Sequence, residues 1–377
     1  MKIKPFGILP TMFMMILSVG LVNHVLVVPL LLDAAKRDAW ISVFGELAIV
    51  LPWAVFPIYG ILKRMNGMPV DKWLRGFFPG WIAMLLLAIF LLAQLCMALE
   101  TLITTASWTA TTYLPHTPSV VVCAVFLGLC LFASVSGLRT IAYASCILLP
   151  IVVLLGDFVM SANMPHKDYH FLLPMLENGI SPVLYGILFT LTSSCELFGI
   201  LLIQHHIKGR FKRWHFIFLV LFLAMLTLGP VMGAIAEFGP TEAGKMRYPA
   251  FSQWRLVSIG KYFEHVDFFA IFQWMSGALV RLAISIHILS EFGPMRRLQK
   301  KWISPAVLGL FILIVSGFGI NHMLQFKKLL AMYFQYVGIF IVTVISILWL
   351  ISLLKREKDN KKHKRMVISG SEEAEQS

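Results

Sequence analysis

The chain has 377 residues, of which 58% are hydrophobic and 14% charged, and its mean hydropathy is +0.80. Ordinary soluble domains carry about 25% charged residues, so this composition excludes a soluble globular protein and points to the bilayer. The formal net charge of +13 would suit a nucleic-acid binder, but where the charges fall along the chain argues against that class.

Ten apolar stretches follow one another at 8–32, 40–62, 78–102, 119–135, 140–160, 182–204, 214–236, 266–289, 302–320 and 329–353. Each comes near the roughly 20 apolar residues that a helix needs to cross a hydrocarbon core. The first imitates a signal peptide, but it exceeds the usual apolar core of about 7–15 residues and lacks a small-x-small cleavage site. It therefore reads as a retained helix. It carries Ser18, Gly20, Asn23, His24 and Pro29 within its apolar run. The sixth carries Gly186, Thr192, Ser193, Ser194, Cys195, Glu196 and Gly199. A straight lipid-facing helix would hold none of these polar groups at its centre.

Five stretches (1–181, with an outer loop), five more (182–354) and a basic then acidic tail (355–377) divide the chain. A repeat with an odd number of helices must insert in inverted topology, a construction common in secondary transporters. Their substrate sites lie at mid-membrane, on helices interrupted at matching places in the two halves. The polar centres of stretches one and six predict such interruptions near residues 22–24 and 193–196. The expected pocket lies between helices one, three, six and eight. Its lining is expected from Val22, Asn23, His24, Ser193, Ser194 and Glu196. The tail is expected to be unstructured.

With the N-terminus placed in the cytoplasm, cytoplasmic segments hold 22 of the 32 Lys and Arg residues and the opposite segments hold 9. The remaining one, Arg281, lies inside stretch eight. This asymmetry obeys the positive-inside rule with both termini cytoplasmic. The basic charge is topological, and no nucleic-acid partner is expected.

Ionisable residues inside the stretches cost about 2.5–3.5 kcal/mol each at a helix centre, so each needs a partner or a water-lined surface. They are Glu46, Glu100, Asp157, Glu196 and Arg281. Glu100 and Asp157 lie nearer predicted helix ends, where snorkelling suffices. Arg281 is central, with Glu196 and Glu46 as its expected partners. The alternatives for it are a structural ion pair and a fixed cation that takes the place of a transported ion. The five cysteines fall within apolar stretches with no CxxC pair, so they read as packing residues. Residues 239–246 nearly spell a phosphate-binding loop. However, Met246 replaces the Ser/Thr that holds magnesium, and the required strand and helix are not expected there. No metal site, cofactor or catalytic set is expected.

Several motifs carry a resemblance. Asp38-Ala39-Trp40-Ile41-Ser42 precedes stretch two, and Leu114-Pro115-His116-Thr117-Pro118 follows stretch three. Leu172-Leu173-Pro174-Met175-Leu176-Glu177-Asn178-Gly179-Ile180 precedes stretch six. Further on come Tyr248-Pro249, Ser258-Ile259-Gly260, and the set Trp274, Gly277 and Arg281. In order and spacing these resemble the B subunits of spore germinant receptors, the endospore germination permease family of the amino acid/polyamine/organocation superfamily. The resemblance implies an all-α integral membrane fold of ten transmembrane helices in a LeuT-like 5+5 inverted repeat. It also implies residence in the spore inner membrane, partnership with A-type and C-type receptor subunits, and sensing of a small nutrient such as an amino acid. A working transporter of small solutes on the same fold is the alternative. Two places depart from the pattern: Val22-Asn23-His24 stands where relatives carry small residues, and Ser193-Ser194-Cys195-Glu196 stands where Pro-x-Gly-Glu is common.

Overall fold

The computed structural model describes residues 5–257, 266–294 and 302–375, with side chains described through residue 354. Residues 258–260 of the motif set lie outside the described residues.

The described chain is helical, with one isolated bridge between Phe6 and Ile207. In order the helices are α1 (Ile8–Leu21), α2 (Val27–Ala35), α3 (Ala39–Trp53), α4 (Tyr59–Met65), α5 (Val70–Phe77), α6 (Gly80–Thr112), α7 (Ser119–Ser136) and α8 (Leu138–Ala162). Then come α9 (Ser181–Cys195), α10 (Gly199–Ile203), α11 (Arg213–Phe238), α12 (Pro240–Ala243), α13 (Pro249–Leu256), α14 (Phe269–Phe292), α15 (Ile303–Asn321) and α16 (Met323–Glu375).

Among the described residues, nine helical stretches are long and apolar enough to cross a membrane. The first of them, Ile8–Met65, is 58 residues long and contains both of the first two predicted stretches. It folds back on itself at Lys36, whose φ of 48° places it in the left-handed region. Contacts with α9 give the directions. Asn23 meets Ser194 and a Cβ on Gly186 would touch Leu31, so α9 is antiparallel to the first arm. Ser42 donates to the Val183 carbonyl and Gly45 abuts Ile187, so α9 is parallel to the second.

The quoted motifs meet in space. The Asp38 carboxylate accepts the Leu176 N–H at 2.8 Å, and Arg37 pairs with Glu177 at 2.7 Å. Two motifs far apart in sequence thus clamp one end of the bundle. Trp274 stacks on Trp108 with ring centroids 4.2 Å apart, and Tyr248 meets the Trp274 edge at 5.7 Å. Gly277 lets α14 approach α1, since a Cβ there would lie 3.1 Å from the Leu17 carbonyl oxygen.

At the opposite end, the Phe6 carbonyl accepts the Lys208 N–H at 2.7 Å, and the Gln204 amide donates to the Met68 carbonyl at 2.8 Å. The N-terminal segment, the turn after α4 and the turn before α11 therefore share this end. These are the segments that hold the clustered Lys and Arg.

Two expectations are corrected in form. α6 runs ten residues past its predicted end at Leu102 and reaches Thr112. Towards its end Thr101, Thr104, Thr109 and Thr111 each donate to the carbonyl four residues back, so their hydroxyls are satisfied inside the helix. The polar centres of stretches one and six are changes of winding, not unwound segments. The first is a π-helical turn at Val22–Leu26 and the other a 3₁₀ turn at Glu196–Phe198.

Candidate functional site

The most polar part of the interior lies where α6, α9, α14 and the π-turn come together. Arg281, on α14, is fully buried, and its guanidinium is committed on every edge. Nε donates to the Thr101 hydroxyl at 2.7 Å. Nη1 and Nη2 grip the two oxygens of Glu196 in a bidentate fork. Nη2 also donates to Glu100 at 2.9 Å. The planar guanidinium suits this role because its donors match a carboxylate two at a time. Glu196 sits at the start of the 3₁₀ turn, where tighter winding aims its side chain at α14.

Arg281 therefore has Glu196 as partner, as expected from sequence. Its second partner is Glu100, and Glu46 does not contact it. The reason is the length of α6, which carries Glu100 into the interior with an exposure of 3%. Snorkelling is not open to a side chain so placed. Glu46, on α3, is also buried, and the Ser194 hydroxyl faces its carboxylate.

One turn away, Asn23 donates through Nδ2 to Ser194 Oγ at 3.2 Å and to the Leu223 carbonyl at 3.3 Å. These two acceptors fix the orientation of its amide, so Oδ1 points elsewhere. Ser193 donates back to the Thr190 carbonyl at 2.8 Å, and Val22 packs fully buried beside Asn23. Three acceptor oxygens in this region lie buried without a hydrogen-bond partner: Asn23 Oδ1, Glu46 Oε1 and Glu100 Oε1. Buried acceptors are normally paired, so each such atom calls for an explanation. What these three oxygens lack is a donor.

His24 is separated from this group. Its Nδ1 lies 3.2 Å from the Leu226 carbonyl and must donate to it, which leaves Nε2 as an acceptor. It lines a cavity of about 490 Å³ on the far side of α1, between α8, α11 and α14, together with Asp157, Gln273, Trp254 and Trp274. Of the six residues expected to line one pocket, Asn23, Ser194 and Glu196 take part in these polar contacts, Ser193 bonds within its own helix, Val22 packs in an apolar cluster, and His24 opens on the cavity.

Sequence reasoning missed a further cluster. His205 and His206 each place Nε2 at 2.8–3.0 Å from the Glu291 carboxylate, at the end of the bundle that holds the N-terminal segment. Their three donor atoms lie within 4.8 Å of one another, a set that could hold a metal ion. The same contacts equally describe a carboxylate accepting two imidazole N–H bonds. The two histidines and the glutamate are some 85 residues apart, so no local spacing signals the cluster.

The family model described as spore germination protein matches residues 2–316. The chain is similar to spore germination protein XB of Bacillus anthracis, 39% identical over 276 residues, or 73% of this chain and 77% of that protein. It is also similar to spore germination protein GerQB of Bacillus cereus, 24% identical over 329 residues, or 85% and 88% of the two chains.

Proposed function

The chain belongs to the spore germination protein family, and from that footing we propose that it is the permease-like, nutrient-sensing subunit of a germinant receptor. Several apolar helices make it a multi-pass membrane protein. The folded-back first stretch then makes two crossings, for ten in all, in a LeuT-like 5+5 inverted repeat. Both termini then lie in the cytoplasm, and the chain resides in the spore inner membrane beside A-type and C-type subunits. Catalysis has no part in this reading.

The observation that carries the reading is the set of three unpartnered acceptor oxygens around a buried ion triad. A small solute with an ammonium group, such as an amino acid, supplies the donors lacking there. Bringing such a solute to mid-membrane is what this fold does in secondary transporters. Arg281 then acts as a fixed internal cation, so the response needs no sodium. Germination of wild-type spores should be the same in sodium and in potassium buffer at matched ionic strength, and a sodium requirement would remove this role for Arg281.

The test of the function is the germination of spores lacking this chain against a panel of nutrients. Loss of response to one nutrient class, restored by the wild-type chain, is the expected result. Undiminished germination on every nutrient would refute the reading. A working transporter on the same fold is the second reading, favoured by the cavity beside α1. Nutrient accumulation in vesicles that carry this chain alone would select it.

Substitution without added volume probes the site best, because Ser193 and Ser194 are buried. Ser194→Ala removes the hydroxyl that links Asn23 to Glu46. The nutrient concentration for half-maximal germination should rise about tenfold, the worth of one hydrogen bond to a charged group, with the protein level unchanged. An unaltered dose response would exclude Ser194 from the site.

A further inference from the structure

A second cavity, of about 830 Å³, opens at the end of the bundle shared by the N-terminal segment and the turn before α11. Four elements enclose it: the end of α4, the short helix α5, the first turn of α11, and α16 just before residue 354. Lys63, Lys72 and Arg213 line it, and Tyr59, Trp73 and Trp349 give it aromatic walls. None of the described residues that line it is acidic.

The parts of this cavity fit one another. Arg213 lies over the rings of Phe56 and Tyr59 at 5.5 and 5.6 Å, so its guanidinium is steadied by cation–π contact. A Cβ on Gly60 would collide with the Trp349 indole, so the glycine brings α16 against α4 and closes the back wall. α5 buries Val70, Trp73 and Leu74 and turns Lys72 and Arg75 outward, the layout of a helix lying in an interface. The positive-inside rule accounts for basic residues at this end. It does not account for their convergence on one aromatic-walled cavity.

We infer that this cavity binds the headgroup of an anionic phospholipid from the adjoining leaflet. The shared chemistry is a phosphate anion met by several cations, and aromatic side chains are at home at headgroup depth. The wall decides for a lipid over free phosphate. Phe56 and Leu353 line the cavity and are 47% and 36% exposed, so an apolar flank runs from it toward the acyl chains. A phosphodiester seated among Lys63, Lys72 and Arg213 would leave its tails along that flank. It would thereby tie α5 and the end of α16 to the membrane surface.

The experiment uses the purified full-length chain in neutral detergent. Its melting temperature is followed while phosphatidylglycerol, phosphatidylcholine or inorganic phosphate is added. Phosphatidylglycerol should raise the melting temperature saturably, and the other two should not at equal concentration. Lys72→Gln and Arg213→Gln, both at exposed positions, should each weaken the apparent affinity about fivefold, as expected for one headgroup charge contact. Lys245→Gln, exposed at the opposite end, should leave it unchanged. Equal stabilisation by phosphatidylcholine would overturn the proposal, as would an effect reproduced by phosphate alone. So would cavity variants that titrate like the wild type, or a Lys245→Gln variant that loses as much as they do.

Discussion

Arg281→Ala should leave spores with little of this chain in their membranes and no response through it. The substitution strips the counter-ion from Glu196 and Glu100 while both carboxylates stay buried. Removing one partner of a buried pair costs roughly 3–5 kcal/mol, because an uncompensated charge is left behind. That is a large part of the roughly 5–15 kcal/mol by which folded proteins are stable. Arg281→Lys should also fail, since an ammonium cannot fork onto Glu196 while reaching Thr101 and Glu100. Glu196→Ala should lose a comparable amount. The double variant should lose less than the two single losses together, because the pair is in direct contact. Quantitative immunoblotting of membranes for the four proteins checks this. Strictly additive losses would mean that the contact carries no coupling.

Gly338→Ala should be nearly as damaging, although it adds one methyl group. A Cβ at this position on α16 would lie 2.6 and 2.7 Å from the backbone N and Cα of Thr192 on α9. Backbone cannot step aside as a flexible side-chain tip does. The contact is also where two helices exchange hydrogen bonds. The Thr192 hydroxyl accepts the Gly338 N–H at 2.8 Å and donates to the Phe334 carbonyl at 2.5 Å. Pushing the helices apart breaks both bonds and adds an overpacking cost of about 1–3 kcal/mol. Gly128→Ala on α7 is the control, because nothing lies within 4 Å of its added carbon. Melting temperatures of the purified variants in detergent should fall for Gly338→Ala and hold for Gly128→Ala. Equal melting temperatures would mean that α9 and α16 separate freely at this point.

The apolar stretches were legible because the thickness of a bilayer sets their length whatever their partners. The family was legible as well, through motifs such as Asp38-Ala39-Trp40-Ile41-Ser42, and the chain's relatives bear it out. The pairing of Arg281 with Glu196 could be read because both charges are central in their stretches. The exchange of Glu46 for Glu100 as its second partner could not. Which carboxylate turns toward α14 depends on the rotation of each helix and on how far α6 continues beyond its apolar run, and neither is written in hydropathy. The form of the breaks was likewise hidden. Polar centres tell where the regular α pattern yields, but π-helical and 3₁₀ turns keep the chain helical. His24 illustrates the same limit. It adjoins Asn23 in sequence, yet one step around a helix sends neighbours to different faces, and it lines a different space.

The most direct test is equilibrium binding of radiolabelled nutrients to the purified chain in lipid nanodiscs, wild type against Asn23→Ala. Asn23 is buried in the polar core, with one oxygen awaiting a donor. The wild-type chain should bind a solute that carries an ammonium group, saturably and one to one. Asn23→Ala should bind it at least tenfold more weakly while remaining folded. Binding of equal strength in the two proteins, or none in either, would contradict a solute site in this core.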